Sequence, residues 1–411
     1  MQHTSMPRME KNMASAILRA IRARRKKTII KAASPPSPAL SAKLRPVTFA
    51  DFDSVMALRR FAGWSEDSRA NWGRLWRHNP ALERVQFEMP MGWVLEAQGQ
   101  VVAYLGNIPL LYRYGERSLI AATGSALVVE QEYRASTISL NAAFYSQKGV
   151  DLFLTTTAVE AVGRIARAFR CLPLPQPDYD SMLFWVLQPK PFARVLMKKL
   201  ELDSRIAASF IAFGIRADRL LKRRWPTGRS SNMEIRNISV PEIGNEFDVL
   251  WKEKLYEPPR LLAQRDSATL RWHFDIAGDK GSGRVLCCYQ HSKLLGYAIV
   301  RHEAPNSENG LRRSIIADML AKDDDPAVLK ALWIAVYQNA KQQESHILEV
   351  LGFPPKVRQI SSEWHPYVRK YPACPFYYKA PDRNLHELLS NEKAWYASPF
   401  DGDTTLWGFG G

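Results

Sequence analysis

The chain runs through one order of elements twice. Of the two passes, only the first ends its central strand in a turn whose chemistry suits a phosphate. The first pass gives an extended stretch at 45–47, a helical pattern at 51–60 and a hairpin at 92–113 with Gln98-Gly99 at its turn. A strand at 118–129, a helix at 137–147, a strand at 151–157 and a helix at 160–170 follow. The second pass gives extended residues at 233–236, a helix at 241–255, a hairpin at 284–302, a strand at 312–320, a helix at 326–343 and a strand at 346–351. Such duplication predicts two similar α/β (α+β) domains, each a mixed central sheet flanked by helices. The 411 residues also exceed what one core usually organises.

Charge separates these halves from what surrounds them. The formal net charge is +16, of which residues 1–45 carry +10 and residues 190–229 carry +8, so the remainder is close to neutral. The expected organisation is a basic tail (1–43), a first domain (44–189), a basic helical connector (190–231) and a second domain (232–411). The tail follows its Arg/Lys run with Ser34-Pro-Pro-Ser-Pro38 and has no apolar segment of signal-peptide type. In the connector, the apolar run at 206–215 is too short to span a bilayer, which takes about 20 residues. As a basic amphipathic helix it suits an anionic membrane surface, an RNA backbone, or packing against the domains it joins. The four cysteines, Cys171, Cys287, Cys288 and Cys374, form no CxxC pair and stand by no His at ligand spacing. A disulfide framework and a metal site are therefore not expected, and a cytoplasmic setting is.

The strand Ala121-Ala-Thr-Gly-Ser-Ala-Leu-Val-Val129 carries small residues that let another molecule approach its backbone, and Gly124 marks a bulge or a strand end. The chain then turns through Arg134-Ala135-Ser136-Thr137-Ile138-Ser139 into a helix. A helix N-terminus reached this way can hold a diphosphate on first-turn amides, and without a ligand Ser136 would serve as the N-cap. In the second half the matching turn is Asp323-Asp-Asp-Pro326, whose carboxylates repel an anion and whose proline lacks a donor.

This order of elements, with Arg134 to Ser139 at the turn, resembles the GCN5-related N-acetyltransferases in a tandem, two-domain form. Thr137 and Ser139 stand where that superfamily has small residues, usually glycine. The resemblance implies an acyltransferase that moves an acetyl or other acyl group from acetyl-CoA or another acyl-CoA to an amine of a small molecule or amino sugar. Leu127, Val128 and Val129 would pair with the pantetheine arm, and Arg134, Ala135, Ser136, Thr137, Ile138 and Ser139 would cradle the phosphates. The thioester would lie near 155–157. Glu130 is the carboxylate expected to accept the amine proton, and the helix at 160–170 holds no Tyr to protonate the thiolate. A FemABX-like, aminoacyl-tRNA-dependent transferase and a non-catalytic binding module of the same fold are the alternatives. Near the C-terminus, Asp401-Gly-Asp403 reads first as a turn and second as a metal or sugar contact.

Overall fold

Two residues with positive φ, Gln98 and Gly99, close the first hairpin, and His291 and Ser292 do the same for its counterpart. Such turns twist with the strands they join, so each fixes the register of a long antiparallel pair. The computed structural model describes residues 41–64, 66–202, 204–228, 232–276, 283–370 and 376–407. Most of the expected basic tail, and Cys374, lie outside them.

The first sheet has the order β1 (Lys43–Pro46), β2 (Gly92–Ala97), β3 (Gln100–Tyr114), β4 (Arg117–Val129), β5 (Leu152–Thr155), β15 (Tyr377–Lys379) and β6 (Leu172–Pro173), with β9 (Leu261–Ala263) on the far end of β3. The second has the order β8 (Glu234–Ile238), β10 (Gly283–Gln290), β11 (Lys293–His302), β12 (Arg313–Ala321), β13 (Ile347–Val350), β7 (Ser181–Val186) and β14 (Tyr367–Lys370). Pairing is antiparallel except between β4 and β5 and between β12 and β13, which are parallel. The two sheets thus repeat one topology.

They also exchange a strand. β15, from near the C-terminus, lies between β5 and β6 of the first sheet, and β7, from the first half, lies between β13 and β14 of the second. The boundary at residue 189 inferred from sequence therefore divides the chain but not the sheets, and residues from Ala42 onward cluster as one compact unit. Trp185 on β7 is fully buried and packs on Trp333 of the second half, with ring centroids 5.8 Å apart. Tyr378 on β15 is buried and donates its hydroxyl to Leu389 O.

The helices expected at 51–60, 137–147, 160–170, 241–255, 326–343 and in the connector are present, and four shorter ones join them among the described residues. α1 (Phe52–Phe61), α2 (Arg69–Arg74), α3 (Thr137–Tyr145) and α4 (Glu160–Ala168) belong to the first half. α5 (Pro189–Lys199) and α6 (Arg205–Leu221) form the connector. α7 (Asn245–Leu255), α8 (Ser267–Phe274), α9 (Pro326–Gln342), α10 (Pro355–Ser362) and α11 (Arg383–Leu389) complete the second half.

Candidate active site

β4 and β5 stay paired only from Ala121, Ala122 and Thr123 against Leu152, Phe153 and Leu154. Beyond Gly124, β4 continues alone on that side, and Ala126 adopts φ 53° where the register against β3 shifts. A bulge of this kind re-aims a strand, here away from β5. The resulting wedge holds a cleft of about 100 Å³ between Gly124, Ser125, Phe144, Tyr145, Thr157 and Val162. That is about three water volumes, enough for a short acyl group or the mouth of a longer path.

The backbone of Leu127, Val128 and Val129 lies on this open stretch, with Val128 and Val129 paired to Tyr104 and Ala103 on their other side. After Glu130 the chain forms a 3-10 helix, Gln131–Ser136, that runs directly into α3. Arg134, Ala135 and Ile138 are exposed, Ser136 and Ser139 half-buried and Thr137 buried. Ser136 does not become the N-cap expected of it. It has helical backbone angles, its side chain caps nothing, and its carbonyl accepts from Ser139 Oγ at 2.7 Å. The turn is a short helix rather than an open loop, because the Tyr133 amide donates to Glu130 O and the Thr137 amide to Arg134 O. Glu130 stands one residue past β4, about 15 Å along the strand from Ser125.

A strap of coil and turns near the C-terminus, residues 395–407, supplies what the first half lacks. Gly402 passes so close to Thr156 that a Cβ there would lie 2.3 Å from its methyl group, at a φ of +66°. Asp403 is thereby set behind the cleft wall. It accepts from Ser125 Oγ at 2.7 Å, Thr156 Oγ1 at 2.8 Å and Thr157 Oγ1 at 3.2 Å. Burial raises its pKa above the usual carboxylate range, and the three hydroxyls offset part of that rise. Thr157 is exposed, so its hydroxyl joins the buried carboxylate to the cleft. Trp407 Nε1 donates to Ser125 Oγ at 2.8 Å, and the Arg59 guanidinium covers the Trp407 ring. The Asp-Gly-Asp segment is a turn, as expected, but its carboxylates face the interior. Among the described residues no cluster of His, Cys, Asp and Glu suits a metal.

On the other wall, Tyr145 packs its ring against Phe144, Phe153 and Phe169 and brings its hydroxyl to 3.5 Å from Thr155 Oγ1. Burial, then the neighbouring Cys171, pushes this phenol's pKa up, so it remains a proton donor at neutral pH. The family resemblance points to the helix at 160–170 for such a tyrosine, whereas Tyr145 ends α3. In sequence, Asp403 is a turn residue first and a metal or sugar contact second, because Asp-Gly favours a turn. The signal present was Phe400, Trp395 and Trp407 around the two carboxylates, a composition unlike a solvated tail.

The matching wedge of the second half is filled. β12 and β13 pair only over residues 313–315 and 347–349. Beyond them Asp318 accepts from Arg265 Nε at 2.9 Å, Tyr297 OH at 2.8 Å and Ser398 Oγ at 3.0 Å, and Tyr396 OH donates to Met319 O. In the turn after β12, Asp324 is held by Lys254 and Arg260, each at 2.7 Å. Burial pushes the Asp324 pKa up, but the two cations outweigh it and hold the group below its ordinary value. Asp325 accepts from the Ala327 and Val328 amides and so caps α9. At the wedge and in the turn after it, the second half supplies its own side chains.

No family profile matches the sequence, and no curated protein matches it either. Solved structures do. A GCN5-related N-acetyltransferase from Kribbella flavida aligns over 84% of this chain and 72% of its own, with 12% identity and a TM-score of 0.51. A probable N-acyltransferase from Enterococcus faecalis V583 aligns over 83% and 72%, with 10% identity and a TM-score of 0.53. N-myristoyltransferase from Saccharomyces cerevisiae with bound myristoyl-CoA aligns over 85% and 81%, with 11% identity and a TM-score of 0.51. At such identities the likeness establishes the fold, which is that of the GCN5-related N-acetyltransferases.

Proposed function

We propose that this chain, which carries the GCN5-related N-acetyltransferase fold in tandem, is an acyltransferase that takes an acyl group from acyl-CoA and passes it to an amine. The observation that carries this reading is the open β4–β5 wedge, with a buried carboxylate delivered to its wall by the opposite end of the chain.

In this reading the unpaired edge of Leu127 to Val129 binds the amide groups of the donor's pantetheine arm. Arg134 and the uncapped first turn of α3 meet its phosphates. The Tyr133 and Thr137 amides are already bonded within the turn, so the Arg134 side chain carries more of the anion's charge than in a glycine-lined loop. The acyl group lies against Gly124, Phe144 and Val162.

Asp403 is the carboxylate nearest the reacting end. It acts as the final proton acceptor through Thr157, whose hydroxyl takes the amine proton as it gives its own to Asp403. Burial raises the proton affinity of Asp403, which favours that exchange. Tyr145 donates a proton to the departing thiolate. Glu130, at the far end of the open edge, is the second carboxylate available to an amine that enters along β4.

The second half's filled wedge supports one donor site per chain. The acceptor class we assign is a small amine. Titration of CoA by calorimetry tests the reading, with saturable binding expected together with acyl transfer to an amine panel. No heat and no thermal protection at millimolar CoA overturns it.

A further inference from the structure

Between β7 and β8 the chain folds a helical hairpin that joins neither sheet. α5 and α6 meet through Ala193, Met197, Ala208 and Ala212, a seam of mostly small side chains that occupies one face of α6. The other face carries Ile206, Phe210, Phe213 and Leu220, at i, i+4, i+7 and i+14, with exposures of 73%, 74%, 72% and 68%. Leu221 follows at 84%. The row is about 20 Å long at 1.5 Å per residue. Ala217 continues the face between Phe213 and Leu220. Single exposed apolar residues are ordinary on a protein surface, but several large ones on one helix face mark a contact surface.

Cations frame that row. Lys198 and Lys199 end α5, Arg205 begins α6, and Arg216, Lys222 and Arg223 lie at or beyond the end of the row, all exposed. Asp218 is already paired with Lys222 and Arg224. The base of the hairpin is fixed, because Arg219 donates to Leu187 O and to Tyr337 OH. The row therefore faces outward from a rigid mount.

Charge decides between the possible occupants. The chain's own first 45 residues carry net +10, the same sign as the net +8 of residues 190–229, and a second copy would bring +8 to +8. RNA would be drawn by the cations and could stack bases on Phe210 and Phe213, but it has no use for Ile206, Leu220 and Leu221 in the same exposed face. An anionic lipid surface satisfies both features. It takes apolar side chains to the depth of the acyl boundary and cations among the headgroups. Among the described residues no helix is long and apolar enough to cross a membrane, so α6 lies in the interface plane.

We propose that α6 docks this protein onto a bilayer containing anionic lipids, with Ile206, Phe210, Phe213 and Leu220 inserted and the flanking Lys and Arg on the headgroups.

The test is flotation of the full chain with large vesicles of phosphatidylcholine, with and without phosphatidylserine. Partitioning onto the anionic vesicles is expected, with a loss of about tenfold or more for Phe210→Ser/Phe213→Ser. Removing Arg216 or Arg223 by Ser should cost about fivefold each, on the anionic vesicles only. All four residues are solvent-facing, so the thermal midpoint and CoA titration of each variant should match the parent. Parental flotation of the Phe variant overturns the proposal, since the N-terminal tail then carries the binding. So does a dimer by sedimentation that the Phe variant splits, or salt-sensitive RNA binding in place of lipid binding.

Discussion

Thr156 and Asp403 stand 247 positions apart and exchange two hydrogen bonds: Thr156 Oγ1 donates to Asp403 Oδ1 at 2.8 Å, and the Asp403 amide donates to Thr156 Oγ1 at 3.2 Å. The pair closes the end of β5 with the C-terminal strap. The wall of the cleft is therefore assembled from both halves of the chain, and the donor site proposed for the first half would depend on Asp403 of the second.

Asp403→Asn keeps the size of the side chain and removes its proton affinity. Acyl transfer is expected to fall by about 10²–10⁴-fold with CoA affinity unchanged, the range for loss of a general base. The parent's rate should decline on the acid side above the ordinary carboxylate range, because burial raises the Asp403 pKa. In the variant that limb should be absent. Initial rates across pH check both. Glu130→Gln is the control, and an equal loss there would move the base to the other end of β4.

Gly124 has no side chain where the wedge opens, and a Cβ there would meet the Phe144 ring at 3.4 Å. Ala is expected to be accommodated. Leu would project into the cleft and should abolish protection of the protein by CoA in thermal unfolding, while the unfolding midpoint without CoA changes little. Protection of the Leu variant equal to that of the parent would place the donor elsewhere.

Asp401 titrates at about 6 in the folded protein against an ordinary 3.8, because burial disfavours its charge more than Arg265, 3.7 Å away, favours it. Between those values the folded state holds a proton that the unfolded state has released. Stability therefore falls as pH rises through that window, by about 3 kcal/mol at most. Asp401→Asn should remove this component. Urea unfolding at about pH 4 and pH 7 should show the variant gaining on the parent at the higher pH.

The exchanged strands predict one unfolding transition. Tyr378 of β15 is buried in the first sheet and packs on Trp395 at 4.8 Å. Tyr378→Ala should cost about 3–5 kcal/mol, as for a buried aromatic. It should shift far-UV circular dichroism and tryptophan fluorescence together. Two separated midpoints would show that the sheets unfold independently in spite of the exchange.

The repeated order of elements was legible in the sequence, and the strands and helices it names lie within a few residues of their expected places, whereas β6, β7, β9, β14 and β15 and the helices α2, α8, α10 and α11 carry no such expectation. The hairpin turn at Gln98-Gly99, the long strand ending at Val129 and the Asp325-Pro326 helix start are local signals, each set by backbone sterics or capping within a few residues. Residues 206–215 of α6 were visible as an apolar run in a basic helical connector, though not their exposure, which depends on what the rest of the chain leaves uncovered.

What only the tertiary structure decided was partnership over long range. That β7 and β15 trade sheets, that Asp403 reaches Ser125, and that Asp318 and Asp324 fill the second wedge all follow from chain crossings between residues far apart in sequence. Periodicity reports which face of a strand is buried, but not which sheet buries it. A carboxylate beside a glycine carries the same local pattern whether water or Thr156 receives it. The sequence determined the elements because their causes are local, and the site required the fold because its parts meet only when both ends of the chain are packed.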